Sequence, residues 1–438
     1  MLQPFVFKMH QTPCKTENSK TMKGLFKSIA IIFCTVASFS LVAQDSGFIY
    51  GKVTTEDGDV YEGPLRWGKE EVYWTDMLNA SKDENRNLDY LSNRERESLE
   101  DRYYSTRYGN GVMRLMNVSW DFNDNDRDND FVHEFSCEFG NIKSLNIRSR
   151  SRVDVELRDG TEIEIDGDGY NDIGAKIRVL DRDLGLVSLS WSRIEEIEFM
   201  ETPNRLEERF GEPLYGTVES DLGRFTGFVQ WDHDERVGTD VLDGDTRDGD
   251  VSIPFSKIES IERDGYSSSI VKLKSGRELD LRGSNDVNDD NKGIIVTVAG
   301  LGRVDLEWED FDKVTFEKAP NSGLDYASFS STEKIKGRVE VDNGDVHQGE
   351  IVYDLDEEYT FEVLNGADND SKYIIPFRYV KSIEPRSSDR ASVVLKNGDT
   401  IGLEDAQDVS ERNQGVLVKT SSDRVYIPWD RVRKVTLQ

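Results

Sequence analysis

The stretch Val393-Val-Leu-Lys-Asn-Gly398-Asp-Thr-Ile-Gly-Leu403 alternates apolar and polar residues on either side of a short Asn-Gly turn. Period-two alternation around such a turn is the strongest short-range signal of a β-hairpin. The same pattern recurs at Val155–Ile165 around Asp-Gly and at Val271–Leu281 around Ser-Gly. The sequence therefore predicts hairpins in three copies, each strand with one buried face and one face in water.

These hairpins belong to three longer repeats, which we place at 47–200, 211–318 and 333–438. In each repeat an aromatic residue is followed four positions later by glutamate and eleven positions later by leucine. These residues are Trp67, Glu71 and Leu78, then Trp231, Glu235 and Leu242, then Tyr353, Glu357 and Leu364. Both halves of each repeat also end with an aromatic residue that has apolar residues three and six positions after it. This spacing predicts one tight helical turn.

The predicted fold is all-β, with three tandem repeats that each contain a pair of small five-stranded barrels. Repeat 1 carries an insertion, which we place at 79–138. An apolar face over Asn87–Arg107 predicts a helix there. The linker Glu317–Lys334 is rich in Ser, Gly and Asn, so we expect it to be flexible.

Two segments of repeat 2, Ile253-Pro-Phe-Ser-Lys-Ile-Glu-Ser-Ile261 and Val271–Leu281, resemble the Sm-like and SH3-like barrel superfamily. The resemblance implies small five-stranded barrels. Sm proteins bind RNA through an Asp/Asn loop and an Arg-Gly loop. Asn285–Asn288 is similar to the first loop, but Ile-Pro-Phe or Ile-Pro-Trp stands in place of the second, so RNA binding is not implied. A net charge of −31 also disfavours nucleic-acid binding.

Residues 1–43 are predicted to be a leader. Met22-Lys23-Gly-Leu-Phe-Lys27 is followed by the uncharged, largely apolar run Ser28–Ala43, which is the arrangement of a signal peptide at 22–43. We expect translation to begin at Met22 and cleavage to follow Ala43. The run is shorter than the roughly 20 residues of a membrane span, so we expect no transmembrane segment after processing. The predicted location is the periplasm, the cell surface or the exterior.

Cys137 is the one cysteine that would remain after removal of the leader, so the sequence predicts no intrachain disulfide. Its repeat position matches Ile253 and Ile375, which predicts a buried core residue.

Acidic loops are the candidates for metal binding. Calcium takes six to eight oxygen ligands, often from carboxylates two residues apart on a loop that contains glycine. None of the loops completes an EF-hand, and Asp/Asn/Gly loops are also ordinary turn chemistry. With calcium as the one candidate cofactor, the candidate ligands are Asp124, Asp126, Asp128, Asp130, Asp166, Asp168 and Asp172.

Aromatic residues that the three repeats do not share are the candidates for a partner-binding surface. Trp74 corresponds to Gly238 and Thr360 in the other repeats, so the shared core does not require it. Long insertions on a rigid scaffold also tend to carry function. The candidates for binding a protein or glycan are Tyr73, Trp74, Tyr103, Tyr104, Tyr108 and Trp120.

The chain carries no His-Glu-x-x-His, Gly-x-Ser-x-Gly or phosphate-binding loop, and its histidines have no ligand-type spacing. The sequence therefore predicts an exported, non-catalytic binding or scaffold protein of the cell envelope or exterior. Two alternatives remain open. One is a calcium-binding, adhesion-like surface protein, and the other is a hydrolase with a carboxylate site near the insertion.

Overall fold

The computed structural model describes residues 45–82, 85–99, 134–167, 169–329, 333–421 and 423–438. Within these ranges the protein is all-β, and its strands pair antiparallel. They fall into three sets of ten, one set for each repeat seen in the sequence.

Repeat 1 contains strands from both sides of the insertion. They are β1 Tyr50–Thr55, β2 Val60–Trp67, β3 Met77–Lys82, β4 Glu134–Glu138, β5 Ile142–Ile147, β6 Arg152–Leu157, β7 Glu162–Asp166, β8 Ile177–Asp181, β9 Gly185–Leu189 and β10 Ile194–Phe199. Its 3-10 helices are Arg86–Tyr90, Phe139–Asn141 and Trp191–Arg193.

Repeat 2 follows the same order of elements. Its strands are β11 Tyr215–Ser220, β12 Gly223–Trp231, β13 Val241–Thr246, β14 Gly249–Pro254, β15 Ile258–Arg263, β16 Ser268–Leu273, β17 Glu278–Arg282, β18 Ile294–Val298, β19 Gly302–Leu306 and β20 Phe311–Phe316. Its 3-10 helices are Phe255–Lys257 and Asn285–Val287.

Repeat 3 has the strands β21 Lys336–Val341, β22 Val346–Val352, β23 Val363–Asp368, β24 Ser371–Pro376, β25 Val380–Pro385, β26 Arg390–Leu395, β27 Thr400–Glu404, β28 Val416–Lys419, β29 Arg424–Ile427 and β30 Val432–Leu437. Its 3-10 helices are Phe377–Tyr379, Gln407–Val409 and Trp429–Arg431, and a further one, Tyr326–Phe329, lies in the linker before it.

Strand pairing is the same in all three repeats. Repeat 1 has the order β4-β3-β7-β6-β5-β10-β1-β2-β8-β9. Adding ten or twenty to each number gives the pairs of repeats 2 and 3. Repeats 2 and 3 are joined into one sheet because β19 pairs with β24.

This pairing does not confirm the prediction of two separate five-stranded barrels in each repeat. The first half of repeat 1 supplies β1–β5 and the second half supplies β6–β10. Across the two halves, β1 pairs with β10, β2 with β8, β3 with β7, and β5 with both β6 and β10. The halves therefore interlock and share one hydrophobic core.

An aromatic trio occupies the centre of each core. In repeat 1 the ring centroid of Trp67 lies 5.1 Å from that of Phe139 and 5.6 Å from that of Trp191. In repeat 3, Tyr353 lies 5.2 Å from Phe377 and 5.7 Å from Trp429. Trp231, Phe255 and Trp308 make the same contacts in repeat 2. Each trio joins the ends of both halves. As the spacing predicted, 3-10 helices begin at Phe139, Trp191, Phe255, Phe377 and Trp429, whereas the sixth position, Trp308, begins a hydrogen-bonded turn that is not a 3-10 helix.

The insertion is only partly described, and residues 100–133 lie outside the described ranges. The predicted helix Asn87–Arg107 is interrupted: a 3-10 helix, Arg86–Tyr90, is followed by α-helix at 93–99. Leu91 ends the first segment, and Ser92 starts the second, because its backbone N–H donates to the Glu95 carboxylate and the Ser92 hydroxyl accepts from the Glu95 N–H. This reciprocal pair is a capping box. Leu91 and Leu99 pack against repeat 3 at Val352, Leu355 and Leu417.

The expectation of a flexible linker at Glu317–Lys334 is wrong for its middle part. Tyr326 and Phe329 are buried in the core of repeat 1, and the Tyr326 hydroxyl donates to the Ile142 carbonyl at 2.9 Å. The Arg158 guanidinium lies 3.9 Å from the centroid of the Tyr326 ring. Composition predicted a flexible polar linker because it does not show that two of its residues pack into the core. We call Tyr326 and Phe329 the aromatic anchor.

In the part of the chain that the structure describes, no helix is both long enough and apolar enough to cross a lipid bilayer. Cys137 is a free, buried cysteine on β4.

Candidate functional site

A tight turn follows the central aromatic residue of each repeat. In repeat 1 the Trp67 N–H donates to the Glu71 carbonyl at 2.9 Å, and the Glu71 N–H donates back at 3.1 Å. Gly68 sits between them with a φ of 57°. The same backbone bridge joins Trp231 to Glu235 and Tyr353 to Glu357. This turn brings each glutamate back beside the aromatic core.

The opposite side of the site comes from the second half of each repeat. In repeat 1 the Trp67 indole N–H donates to the Asp172 main-chain carbonyl at 2.7 Å. The Asp172 carboxylate accepts from the Asn79 backbone N–H at 2.6 Å. The same two bonds hold Asp286, through Trp231 and Asp243, and Asp408, through Tyr353 and Asn365. A core aromatic residue thus positions an acid in every repeat.

These elements bring carboxylates together. In repeat 1, oxygen atoms of Glu70, Glu71 and Asp172 lie within 4.8 Å of one another. In repeat 2, oxygen atoms of Asp232, Glu235 and Asp286 also lie within 4.8 Å of one another. Repeat 3 carries Asp354, Glu357 and Asp408 at the positions that correspond to those of repeat 2.

One glutamate oxygen in each repeat has no hydrogen-bond partner. The Oε2 atoms of Glu71, Glu235 and Glu357 are all buried, and no described donor reaches them. Glu71 is 5% exposed and Glu357 is 7% exposed. Because buried polar groups are nearly always paired, an unpaired oxygen at the same position in three repeats requires an explanation.

The electrostatics of the clusters disfavour three charged carboxylates. Burial raises the pKa of Asp172 to about 7, and burial raises the pKa of Asp286 to about 6 and that of Glu235 to about 9. Burial, followed by the neighbouring carboxylates, also raises the pKa values of Glu71 and Glu357. The Arg303 guanidinium offsets a small part of this effect around Glu71 and Asp172. Each cluster therefore favours either bound protons or a bound cation.

The structure brings one predicted metal ligand into a cluster and leaves another outside. Asp172 lies with Glu70 and Glu71. Asp166 lies instead at the end of β7, where its main-chain carbonyl accepts from Ser81 and its carboxylate is 3.6 Å from Arg152. The other predicted ligands, Asp124, Asp126, Asp128, Asp130 and Asp168, lie outside the described residues.

The predicted partner surface requires correction at Tyr73 and Trp74, which are 1% and 0% exposed. The Trp74 indole N–H donates to the Thr202 hydroxyl at 3.0 Å, and its ring centroid is 4.5 Å from that of Tyr326. Trp74 departs from the other repeats because it packs against the linker that docks on repeat 1. Tyr103, Tyr104, Tyr108 and Trp120 lie outside the described residues.

The sequence did not predict that Glu70 and Glu71, or the acids of repeat 2, would belong to carboxylate clusters. The one available signal was the glutamate that recurs four residues after each central aromatic. Spacing along a loop did not reveal the clusters, because their members lie about a hundred residues apart in repeat 1 and come from different halves.

A second set of acids connects the repeats. Asp76 accepts from the backbone N–H groups of Val72 and Tyr73, each at 2.8 Å, and its other oxygen is 2.7 Å from Arg236 of repeat 2. At the equivalent positions, Asp240 is 2.7 Å from Arg66 of repeat 1, and Glu362 is 2.6 Å from Lys82 of repeat 1. Each acid therefore stabilises the loop that contains it and also forms an ion pair with a basic side chain of another repeat.

A groove of about 420 Å³ lies between repeats 1 and 2, and Arg66, Lys69, Arg178 and Glu235 are among its lining residues. The basic groups have partners: Arg66 pairs with Asp240, and Lys69 Nζ is 3.3 Å from Asp234. Because Glu235 belongs to the acidic cluster of repeat 2, that cluster borders the groove.

Comparison of the chain with protein-family models, with curated proteins and with solved structures finds no match.

Proposed function

We propose that this is an exported, non-catalytic scaffold that binds partners at the cell envelope or exterior. The proposal rests on the ion pairs that the recurring acids Asp76, Asp240 and Glu362 form between repeats. All three fasten one repeat to another through ion pairs that are largely buried. A chain built in this way holds its repeats at fixed positions, which suits a platform better than a mobile catalytic site.

The outer loops support the same proposal because they differ between repeats while the framework does not. Leu184 and Leu186 lie in the β8–β9 hairpin of repeat 1 and are 68% and 60% exposed. Tyr266 lies between β15 and β16 of repeat 2 and is 65% exposed. Several weak contacts to one partner, held at fixed spacing, would gain through effective concentration.

The proposal is tested in the cells that make the protein. A photo-crosslinking amino acid replaces Leu184 or Tyr266, with the exposed turn residue Glu56 as the control position. We expect a processed chain outside the cytoplasm and a discrete crosslinked product from Leu184 or Tyr266, with none from Glu56. An unprocessed cytoplasmic chain would contradict export, and hydrolysis of a substrate by the purified protein would contradict the non-catalytic assignment.

A further inference from the structure

We propose that Glu70, Glu71 and Asp172 of repeat 1 form a binding site for a hard divalent cation of the calcium or magnesium type. We further propose that Asp232, Glu235 and Asp286 form a second site at the corresponding turn of repeat 2, where Asp232 takes the place of Glu70 as the third ligand. This inference is independent of the scaffold function, since a cation site can serve any role of the protein.

Convergence of the ligands is the first support. In each cluster three carboxylates present oxygen atoms within 4.8 Å of one another. Carboxylate oxygens are the ligands that hard divalent cations prefer. The ligands lie on different elements, because Glu70 and Glu71 are in the turn after β2 while Asp172 precedes β8. A bound ion would therefore join the two halves of the repeat.

The unpaired glutamate oxygen is the second and independent support. Glu71 is 5% exposed, and its Oε2 atom has no hydrogen-bond partner among the described residues. An unpaired buried polar atom is costly, and a buried charged one is more so. The equivalent glutamates, Glu235 and Glu357, also leave Oε2 unpaired. Coordination of a cation would satisfy this atom at the two proposed sites, in repeats 1 and 2.

Asp172 and Asp286 are already held in place through one oxygen atom each, whereas both oxygen atoms of Asp232 accept hydrogen bonds, from the Lys292 backbone N–H and the Asn285 side chain. Asp172 uses Oδ2 to accept from the Asn79 backbone and side chain, at 2.6 and 2.9 Å. Asp286 similarly uses Oδ2 to accept from the Asp243 N–H at 2.6 Å. Preorganised carboxylates lose little side-chain entropy when they bind an ion.

The competing explanation is that the carboxyl groups share protons and bind no ion. Direct measurement separates the two, because Trp67 lies against the repeat 1 site and can sensitise terbium luminescence. Trp67 donates to the Asp172 carbonyl at 2.7 Å, and Trp231 donates to the Asp286 carbonyl at 2.9 Å. Terbium is a hard cation that substitutes for calcium, and competition with calcium or magnesium identifies the preferred ion.

The experiment measures terbium luminescence and calorimetric stoichiometry on the purified protein, followed by competition with millimolar calcium or magnesium. The variants are Glu71→Gln, Glu235→Gln and their combination, all nearly isosteric. Glu70→Gln gives a second test of repeat 1 at a half-buried position. Asp166→Asn is the matched control, because it removes an acid of repeat 1 that lies outside the cluster.

We expect Glu71→Gln and Glu70→Gln each to remove one equivalent of bound ion, Glu235→Gln to remove another, and Asp166→Asn to remove none. Circular dichroism checks that each variant is folded. Binding that survives Glu71→Gln but disappears with Asp166→Asn would overturn the proposal. Absence of binding by the wild-type protein at millimolar calcium, magnesium and terbium would overturn it as well, and the shared protons would then explain the clusters.

Discussion

The Arg236 guanidinium of repeat 2 lies 2.7 Å from the Asp76 carboxylate of repeat 1, and both side chains are almost fully buried. The pair has a counterpart across the same interface, where Arg66 of repeat 1 meets Asp240 of repeat 2. Asp76 and Asp240 occupy equivalent positions, so the acid at this position of each repeat forms an ion pair with an arginine of the other repeat. Reciprocal pairing of this kind fixes how the two repeats dock.

The first prediction concerns Arg236→Met. This change leaves the buried Asp76 carboxylate without its cationic partner, and removal of one partner of a buried ion pair costs about 3–5 kcal/mol. We expect the free energy of unfolding, measured with urea, to fall by that amount. The matched control is Arg431→Met, which breaks the exposed pair with Asp342 and should leave the unfolding midpoint unchanged. Equal midpoints for the two variants would show that the buried pair does not fasten the repeats.

Lys82→Met is the second prediction, and it concerns the contact between repeats 1 and 3. The Lys82 ammonium lies 2.6 Å from Glu362 and 2.9 Å from Asp356, and its removal leaves two buried carboxylates facing each other. We expect a loss of roughly 3–5 kcal/mol in the free energy of unfolding.

Hydrogen exchange provides a local measurement for the same variant. Glu362 accepts from the backbone N–H groups of Glu358 and Tyr359, so exchange of these two amides should accelerate when the loop loosens. Lys143→Met, which removes a lysine from an exposed pair with Glu156, is the control. Unchanged protection at both amides in Lys82→Met would contradict the prediction.

The third prediction concerns the docked linker. A Cβ atom at Gly140 would lie 2.3 Å from Cδ2 of Phe329, so Gly140→Ala should expel the aromatic anchor. We expect trypsin to cleave the variant faster at Lys318 and Lys334 than the wild-type protein. Phe329→Ala should open the linker in the same way and lower stability by about 3–5 kcal/mol, as for other buried phenylalanines.

Gly238→Ala is the matched control for this prediction. Gly238 has no heavy atom closer than 3.4 Å to its added Cβ, and the equivalent residues Trp74 and Thr360 already carry side chains. We expect its cleavage rate to match that of the wild-type protein. Equal rates for Gly140→Ala and Gly238→Ala would show that the anchor does not protect the linker.

Local patterns in the sequence were sufficient to predict the strands, the tight turns and the threefold repetition. The hairpin Val393–Leu403 forms β26 and β27, and the turn after Phe377 is a 3-10 helix. Pairing between the halves was not predictable in this way, because alternation specifies which face is buried and not which strand lies alongside. The prediction of two separate barrels in each repeat is therefore not confirmed, since strands such as β1 and β10 pair across the two halves.

The same limit applies to the candidate site. Asp172 was identified from an acid-rich loop, but its neighbours Glu70 and Glu71 come from the other half of the repeat. The cross-half pairs β2–β8 and β3–β7 bring these segments together. Trp74 was assigned to the surface because it departs from the repeat, whereas the departure reflects the linker that packs on it.

The last prediction concerns Cys137, which is 0% exposed and lies on β4, at the edge of the repeat 1 sheet. Burial raises the pKa of its thiol well above the ordinary value, and the thiolate is the reactive form. We expect maleimide to leave Cys137 unmodified in the native protein near pH 8 and to label it fully in denaturant, as measured by peptide mass spectrometry. Glu138, the residue after Cys137, is paired with Arg378 of repeat 3 at 2.5 and 2.6 Å. Because Arg378→Met should loosen this edge strand, we expect it to accelerate labelling of Cys137 in the native protein, whereas Gly238→Ala should not. Rapid labelling of the wild-type protein would show that β4 opens without unfolding of the core.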